Sequence, residues 1–217
     1  MRISELSDHS GVSVASIKFY RREGLLPAGH ATAANQATYD EQHVRRLRLI
    51  RALIDVGGLP IANVRAVLDA VDSDTTSLHD AFGSVMHALD PDEQRPEDPE
   101  LRSQVTQLRR WLKARQWAVK ADAPAIRQLA AALLTLRQFG FEVTLDSLEQ
   151  VVLDAEHMAE LEVGYARAQS DRTASVETML IGTVVYGEAL TEIRRLALEA
   201  VSARADEPAK GRRAKAH

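Results

Sequence analysis

Gly11 and Gly24 constrain the fold of this chain more than any other feature of its sequence. Ile3, Leu6 and Ser7 lie at helical spacing ahead of Gly11, a residue that can take positive φ just past a helix end. A short first helix therefore stops at about Ser10. Ser13 then offers its hydroxyl to the free N–H groups of a second helix, Val14 to Arg22, and Gly24 closes that helix in the same way. Val14 and Ile17 can face the first helix, which leaves Ser16, Lys18, Phe19 and Tyr20 on the outer side. Arg21 and Arg22 stand at the C-terminal end, where the helix dipole favours cations. Two short helices joined by a tight Gly-containing turn make a helix-turn-helix, although spacing alone admits an ordinary amphipathic hairpin equally well.

Downstream, Asp40 is a natural N-cap for a third helix carrying Val44, Leu47, Ile50 and Ile54, which Gly57-Gly58 ends. Pro60 suits the first turn of a fourth helix with an apolar stripe of Ile61, Val64, Leu68 and Val71. The polar run Asp72 to Thr76 places a domain boundary there. A helix from Ser77 to Leu89 follows, then a break from Asp90-Pro91 through Pro96 to Pro99, whose prolines cannot continue it. Further helices are predicted over Leu101–Lys120, Ile126–Phe139, Leu145–Gln169 and Ala174–Ala205. The segment Thr178–Leu190 is apolar nearly all round and suits either a central core helix or a subunit interface. The expected fold is mainly α: a helix-turn-helix module over residues 1–72, a connecting helix and Pro-rich hinge over 73–99, an all-α C-terminal domain over 100–205, and a disordered basic tail over 206–217.

The string Ile3-Ser4-Glu5-Leu6, Gly11-Val12-Ser13, Ile17-Lys18-Phe19-Tyr20 and Glu23-Gly24-Leu25-Leu26-Pro27 resembles the N-terminal domain of the MerR family of transcription regulators. The resemblance covers roughly residues 1 to 72. It implies that this module is a winged helix-turn-helix, with a small β wing after Pro27 that ends in Tyr39 just before a long helix. Two departures stand out: Arg21 replaces the acidic residue that commonly follows the aromatic pair, and Asn35-Gln36-Ala37 replaces the usual Gly-Tyr-Arg of the wing. Without that arginine, either backbone contacts from the wing fall to neutral groups such as Gln36, Asn35 and Thr38, or the wing contributes less.

The resemblance implies a homodimer that binds double-stranded promoter DNA at a palindromic site and distorts it so that RNA polymerase can engage. On that reading Ser13, Ser16, Lys18, Phe19, Tyr20, Arg22, Gln36, Thr38, Tyr39 and Arg45 are the candidate DNA-facing residues. The net charge of −4 fits a DNA-binding protein once it is divided. Residues 1–72 hold nine Lys/Arg against eight Asp/Glu, whereas residues 73–205 hold 14 against 21. Seven cations of the first segment, Lys18, Arg21, Arg22, Arg45, Arg46, Arg48 and Arg51, form a candidate phosphate-facing cluster. For Arg48 and Arg51 a solvated helix face is the alternative.

The absence of cysteine excludes disulfides, thiolate-bound metals and iron–sulfur clusters, and with them the thiolate metal-sensing branches of the resembled family. The seven histidines form no metal-binding helix pair, and neither a phosphate-binding glycine loop nor a nucleophile elbow occurs, so no enzyme, catalytic residue, metal or cofactor is expected. The start Met1-Arg2-Ile3-Ser4 has no apolar run for a signal peptide, and no stretch approaches a membrane span, which points to the cytoplasm. For a small organic effector, Trp111, Trp117, Met158 and Tyr165 are candidate pocket walls, with ordinary core packing as the alternative. The rival functional reading is an effector-free architectural or protein-interaction DNA-binding protein.

Overall fold

The computed structural model describes residues 1–33, 36–73, 77–89 and 98–206. The elements run α1 (Ile3–Ser10), α2 (Val14–Arg22), β1 (His30–Ala33), β2 (Gln36–Thr38), α3 (Glu41–Arg51), α4 (Ile61–Asp72), α5 (Leu78–Leu89), α6 (Pro99–Ala114), α7 (Pro124–Gln138), α8 (Glu149–Arg167), α9 (Arg172–Ile181) and α10 (Gly187–Asp206). The protein is thus mainly α, with a two-stranded antiparallel wing in which His30 pairs with Thr38 and Ala31 with Ala37. No helix among the described residues is long and apolar enough to cross a membrane.

The local rules that set the first helices hold in detail. Gly11 adopts φ 67° and its N–H donates to Ser7 O, closing α1. Ser13 caps α2 by accepting from Ser16 N. Leu6, Val12, Ile17, Leu26, Tyr39, Val44 and Leu47 then form a small core between α1, α2 and α3.

A second and larger core crosses residue 72. It joins Leu25, Ile50 and Leu53 to Val64 and Leu68 of α4, Phe82 and Val85 of α5, and Val176, Leu180 and Val184 of α9 and its extension. The winged module and α9 therefore share one interior. Gly57 lies at this seam, where a Cβ would come within 2.6 Å of Val184 Cγ1, so only a glycine allows the approach. A third core, Leu101, Leu108, Ile126 and Ala130, belongs to the α6–α7 hairpin alone.

Several boundaries differ from the sequence expectation. The helix expected over Leu101–Lys120 starts earlier, because Asp98 accepts from Glu100 N and Pro99 fits the first turn, where its missing N–H is not needed. It also stops earlier, at Ala114. Gln116 takes φ 59° and Trp117 N donates back to Leu112 O, so Val119 lies in a turn and is exposed. The single helix expected from Ala174 to Ala205 is interrupted by a π-helical turn, Gly182–Tyr186, and another π-helical turn, Ala52–Val56, extends α3. Both mark inserted residues where an element packs against a neighbour rather than solvent, a common place for such turns. Within the expected apolar segment Thr178–Leu190, Leu180 and Val184 are buried while Ile181 and Tyr186 face outward. The expected break at Asp90–Glu97 and the expected tail from Glu207 on lie outside the described residues.

Candidate nucleic-acid interface

On α2, Ile17 is fully buried against the module core. The opposite face carries Ala15, Lys18, Phe19 and Arg22, all exposed and spaced at i, i+3, i+4 and i+7. Phe19 stands 36% exposed with the Arg22 guanidinium 5.9 Å from its ring centroid. Neither Lys18 nor Arg22 has a carboxylate partner among the described residues. Ser13 is exposed at the helix start, its hydroxyl 2.8 Å from that of Ser16. Tyr20 turns inward and packs against both cores. Its phenol is held above the ordinary tyrosine value by burial and by nearby Asp55, so it stays a neutral O–H donor at pH 7.

The wing is rooted by a close approach. A Cβ on Gly29 would come within 2.8 Å of Thr38 O and of Tyr39 Cε1, so the strand leaves the module over the face of the Tyr39 ring. Tyr39 N donates to Met1 O at 2.8 Å, and the N-terminal ammonium donates to Tyr39 O at 2.7 Å, fastening the chain start to the wing root. Thr38 lies on β2, half-buried, with its hydroxyl turned back toward His30 O at 3.4 Å. Gln36 is the first residue of β2.

The arginine cluster is divided by its partners. Arg21 donates to the Tyr39 hydroxyl at 3.0 Å, and Tyr39 itself is only 4% exposed. Tyr39 is thus placed in the core, where it positions Arg21 and the wing root instead of presenting its own ring outward. Arg46 forks onto Asp72 at 2.8 and 2.7 Å and also donates to Leu25 O. Arg48 donates to His9 O, and Arg51 to Gly11 O and Asp55, so both satisfy carbonyls around the C-terminal end of α1. Arg45 donates to Glu177 of α9 at 2.5 Å. Of the seven cations grouped in the sequence, five are held within the protein and two, Lys18 and Arg22, stand open on α2. Sequence spacing could group the arginines but could not supply Glu177, 132 positions away from Arg45.

Asp40 joins the wing to α3. Its carboxylate accepts from Gln42 N and His43 N and lies 2.7 Å from Nδ1 of the buried His43 ring. The hydrogen bond with the His43 ring, followed by backbone and His30 contacts, holds its carboxyl well below the usual range. Asp40→Ala removes an N-cap and should lower stability by about 1 kcal/mol. A depressed folded-state value means the carboxylate's contribution is present above the ordinary value of about 4 and is lost as pH falls below it. Denaturant titrations at pH 7 and at low pH should therefore show the mutant deficit shrinking with acid. Since Asp40 is nearly half exposed, solvent screening keeps the effect small.

The four expected effector-wall residues do not converge. Trp111 and Trp117 pack edge to face at 5.8 Å, Arg115 covers Trp111 at 5.0 Å, and the Trp117 indole donates to Glu156 at 3.1 Å. Tyr165 is 70% exposed on the outer face of α8. Met158 is half-buried on the same helix. The tryptophans pin the α6 end to α8, and none of the four lines the apolar cavity between α5, α8 and α9.

A helix-turn-helix with a β wing and an open cationic, aromatic helix face defines a DNA-binding module of the winged class. Residues 1–71 match the family model described as the MerR HTH family regulatory protein, and the chain belongs to this family of DNA-binding transcription regulators. It is similar to the mercuric resistance operon regulatory protein of Bacillus cereus, 29% identical over 97 residues that make up 45% of this chain and 73% of that one. It is also similar to the nodulation protein NolA of Bradyrhizobium elkanii, 35% identical over 79 residues. That match spans 36% of this chain and about a third (34%) of NolA. The crystal structure of a transcriptional regulator from Streptomyces coelicolor A3(2), SCO5550, is 34% identical with a TM-score of 0.73, covering 94% of this chain and 97% of that one. The family and the structural neighbour are regulators, not enzymes.

Proposed function

We propose that the protein acts in the cytoplasm as a homodimer that places two copies of α2 in successive major grooves of a palindromic promoter site. By the same reading it bends and untwists the duplex so that RNA polymerase can engage, and a small organic effector in the helical region controls it. The open face of α2 carries this reading: Lys18 and Arg22 are available for phosphates or guanine edges, and Phe19 for a thymine methyl. Ser13, Ser16 and Thr38 supply neutral hydrogen-bonding groups beside them. Tyr20 and Tyr39 act from behind by fixing α2 and Arg21, while Arg45 reaches DNA only by leaving Glu177.

The dimer is supported by α10. From Thr191 to Ala205 every residue of that helix is exposed, including Ile193, Leu196, Leu198 and Val201. Ile193 and Val201 lie on one side of this free-standing helix, and such an apolar stripe calls for a partner; a second copy supplies a matching one by two-fold symmetry.

The test is binding of the purified protein to DNA upstream of its own gene, titrated with salt and competitor DNA. Tight binding that protects a two-fold site supports the regulator reading; weak, salt-labile binding alone would favour an architectural protein. Lys18→Ala should weaken binding and reduce the magnitude of the log Kobs against log salt slope by about 0.9, the loss of one phosphate contact. An unchanged slope and affinity would remove Lys18 from the interface.

A further inference from the structure

Between α5, α8, α9, the segment 118–123 and the start of α7 lies a cavity of about 570 Å³, within the size range of small-molecule sites. Its walls are mostly apolar, with Phe82, Met86, Val163 and Met179 among them. Four titratable groups reach it: His79, His87, Lys120 and Glu162. Lys120 has Asp80 at 3.8 Å to answer its charge, and His79 is exposed to water.

The other two are acceptors without donors. Nδ1 of His87 lies 2.8 Å from Gly83 O, which fixes the proton of the neutral ring on Nδ1 and leaves Nε2 as a bare acceptor. That Nε2 atom is buried and has no hydrogen-bond partner, its nearest charge being Asp122 at 3.7 Å. The Glu162 carboxylate is half-buried, with no hydrogen bond or ion pair among the described residues, and Oε2 sits 3.6 Å from where a Cβ on Gly182 would lie. Burial alone pushes its carboxyl above the ordinary value, the mark of a charge that lacks an answering group. Thr183 spends its hydroxyl on Met179 O and on the Met86 sulfur, so it supplies no donor either.

We infer that this cavity binds an apolar organic amine, with the ammonium received by Glu162 while the apolar body lies among Phe82, Met86 and Met179. This assignment rests on the regulator reading and names its effector class. Its placement also gives the ligand a lever on the winged module. The helix that contributes Met179, with the Thr183 of its extension, holds Arg45 through Glu177 and presses Val184 against Gly57.

The test uses the full chain and three fluorescent probes with one naphthalene body and different ends: dansylcadaverine, its N-acetylated neutral form, and dansyl-6-aminohexanoic acid. Saturable, micromolar enhancement by the amine, at least tenfold weaker for the acetylated form and undetectable for the carboxylate, is the expected result. Glu162→Gln should weaken the amine at least tenfold and leave the acetylated form unchanged, with far-UV circular dichroism and ligand-free DNA binding as in the parent. No amine binding, equal binding of all three probes, or a Glu162→Gln variant that binds the amine normally overturns the assignment. Because binding is read without DNA, a chain that takes the amine through Glu162 but protects no promoter site overturns the regulator reading and leaves the cavity assignment standing.

Discussion

Ile193→Glu should convert the proposed dimer to a monomer at micromolar concentration and lower the affinity for the proposed palindromic site by at least about 100-fold. Leu190, Ile193, Ala197 and Val201 recur at three- and four-residue intervals along one side of α10. Ile193 is 57% exposed and Val201 55% exposed, so in a single copy this stripe has nothing to cover it. Burying an isoleucine against a partner contributes about 1.5–3 kcal/mol, and a buried unpaired carboxylate in its place opposes association by more. The DNA effect follows from geometry: a monomer holds one recognition helix, and a factor of 100 is about 2.7 kcal/mol of half-site contacts no longer made together. Because the side chain projects into solvent in the monomer, the substitution should leave helicity intact. Analytical ultracentrifugation decides the matter. A variant that still sediments as a dimer would move the interface to the apolar outer face of α8, where Val151, Leu161 and Tyr165 are exposed.

What the sequence revealed and what it hid divide along the range of the interactions involved. The turn at Gly11 and the caps at Ser13 and Asp40 act within about four residues, so residue type alone located them. The Trp111–Trp117 pair also lies close in sequence, yet the sequence leaves pocket wall and core packing both open, because composition cannot tell an edge-to-face pair sealed by Arg115 and Glu156 from one facing a cavity. The π-helical turns left no periodic trace. Each inserts a residue into an otherwise regular helix, and what selects it is the packing of Val184 on Gly57. On the DNA side, Lys18 and Arg22 group in the sequence with five arginines whose partners are the Tyr39 hydroxyl, for Arg21, and carbonyls and carboxylates, for the other four. Helical spacing shows which cations share a face. It does not show that Arg48 and Arg51 serve α1 or that Arg45 serves α9.

The same long-range packing sets the second large expectation. Leu180→Ala should destabilise the whole protein by about 3 kcal/mol, lowering Tm by roughly 6–12 °C for a chain of this size. Leu180 is fully buried in α9, in the core that also holds Leu25, Ile50 and Leu53 of the winged module. A cavity there is opened in the interior of both halves at once. The winged module and α9 should therefore lose protection together, and hydrogen exchange of the α3 amides should rise in the variant alongside that of α9. The α6–α7 hairpin, with its own core of Leu101, Leu108, Ile126 and Ala130, should keep its protection until a separate opening. If only α9 exchanges faster while α3 is unchanged, the module is energetically independent of the helical region. An effector in the α5–α8–α9 cavity would then have no packed route to the DNA-binding helix. If α3 follows α9, the shared core is itself the coupling: whatever shifts the seat of Val184 on Gly57 also shifts the scaffold on which α2 is held.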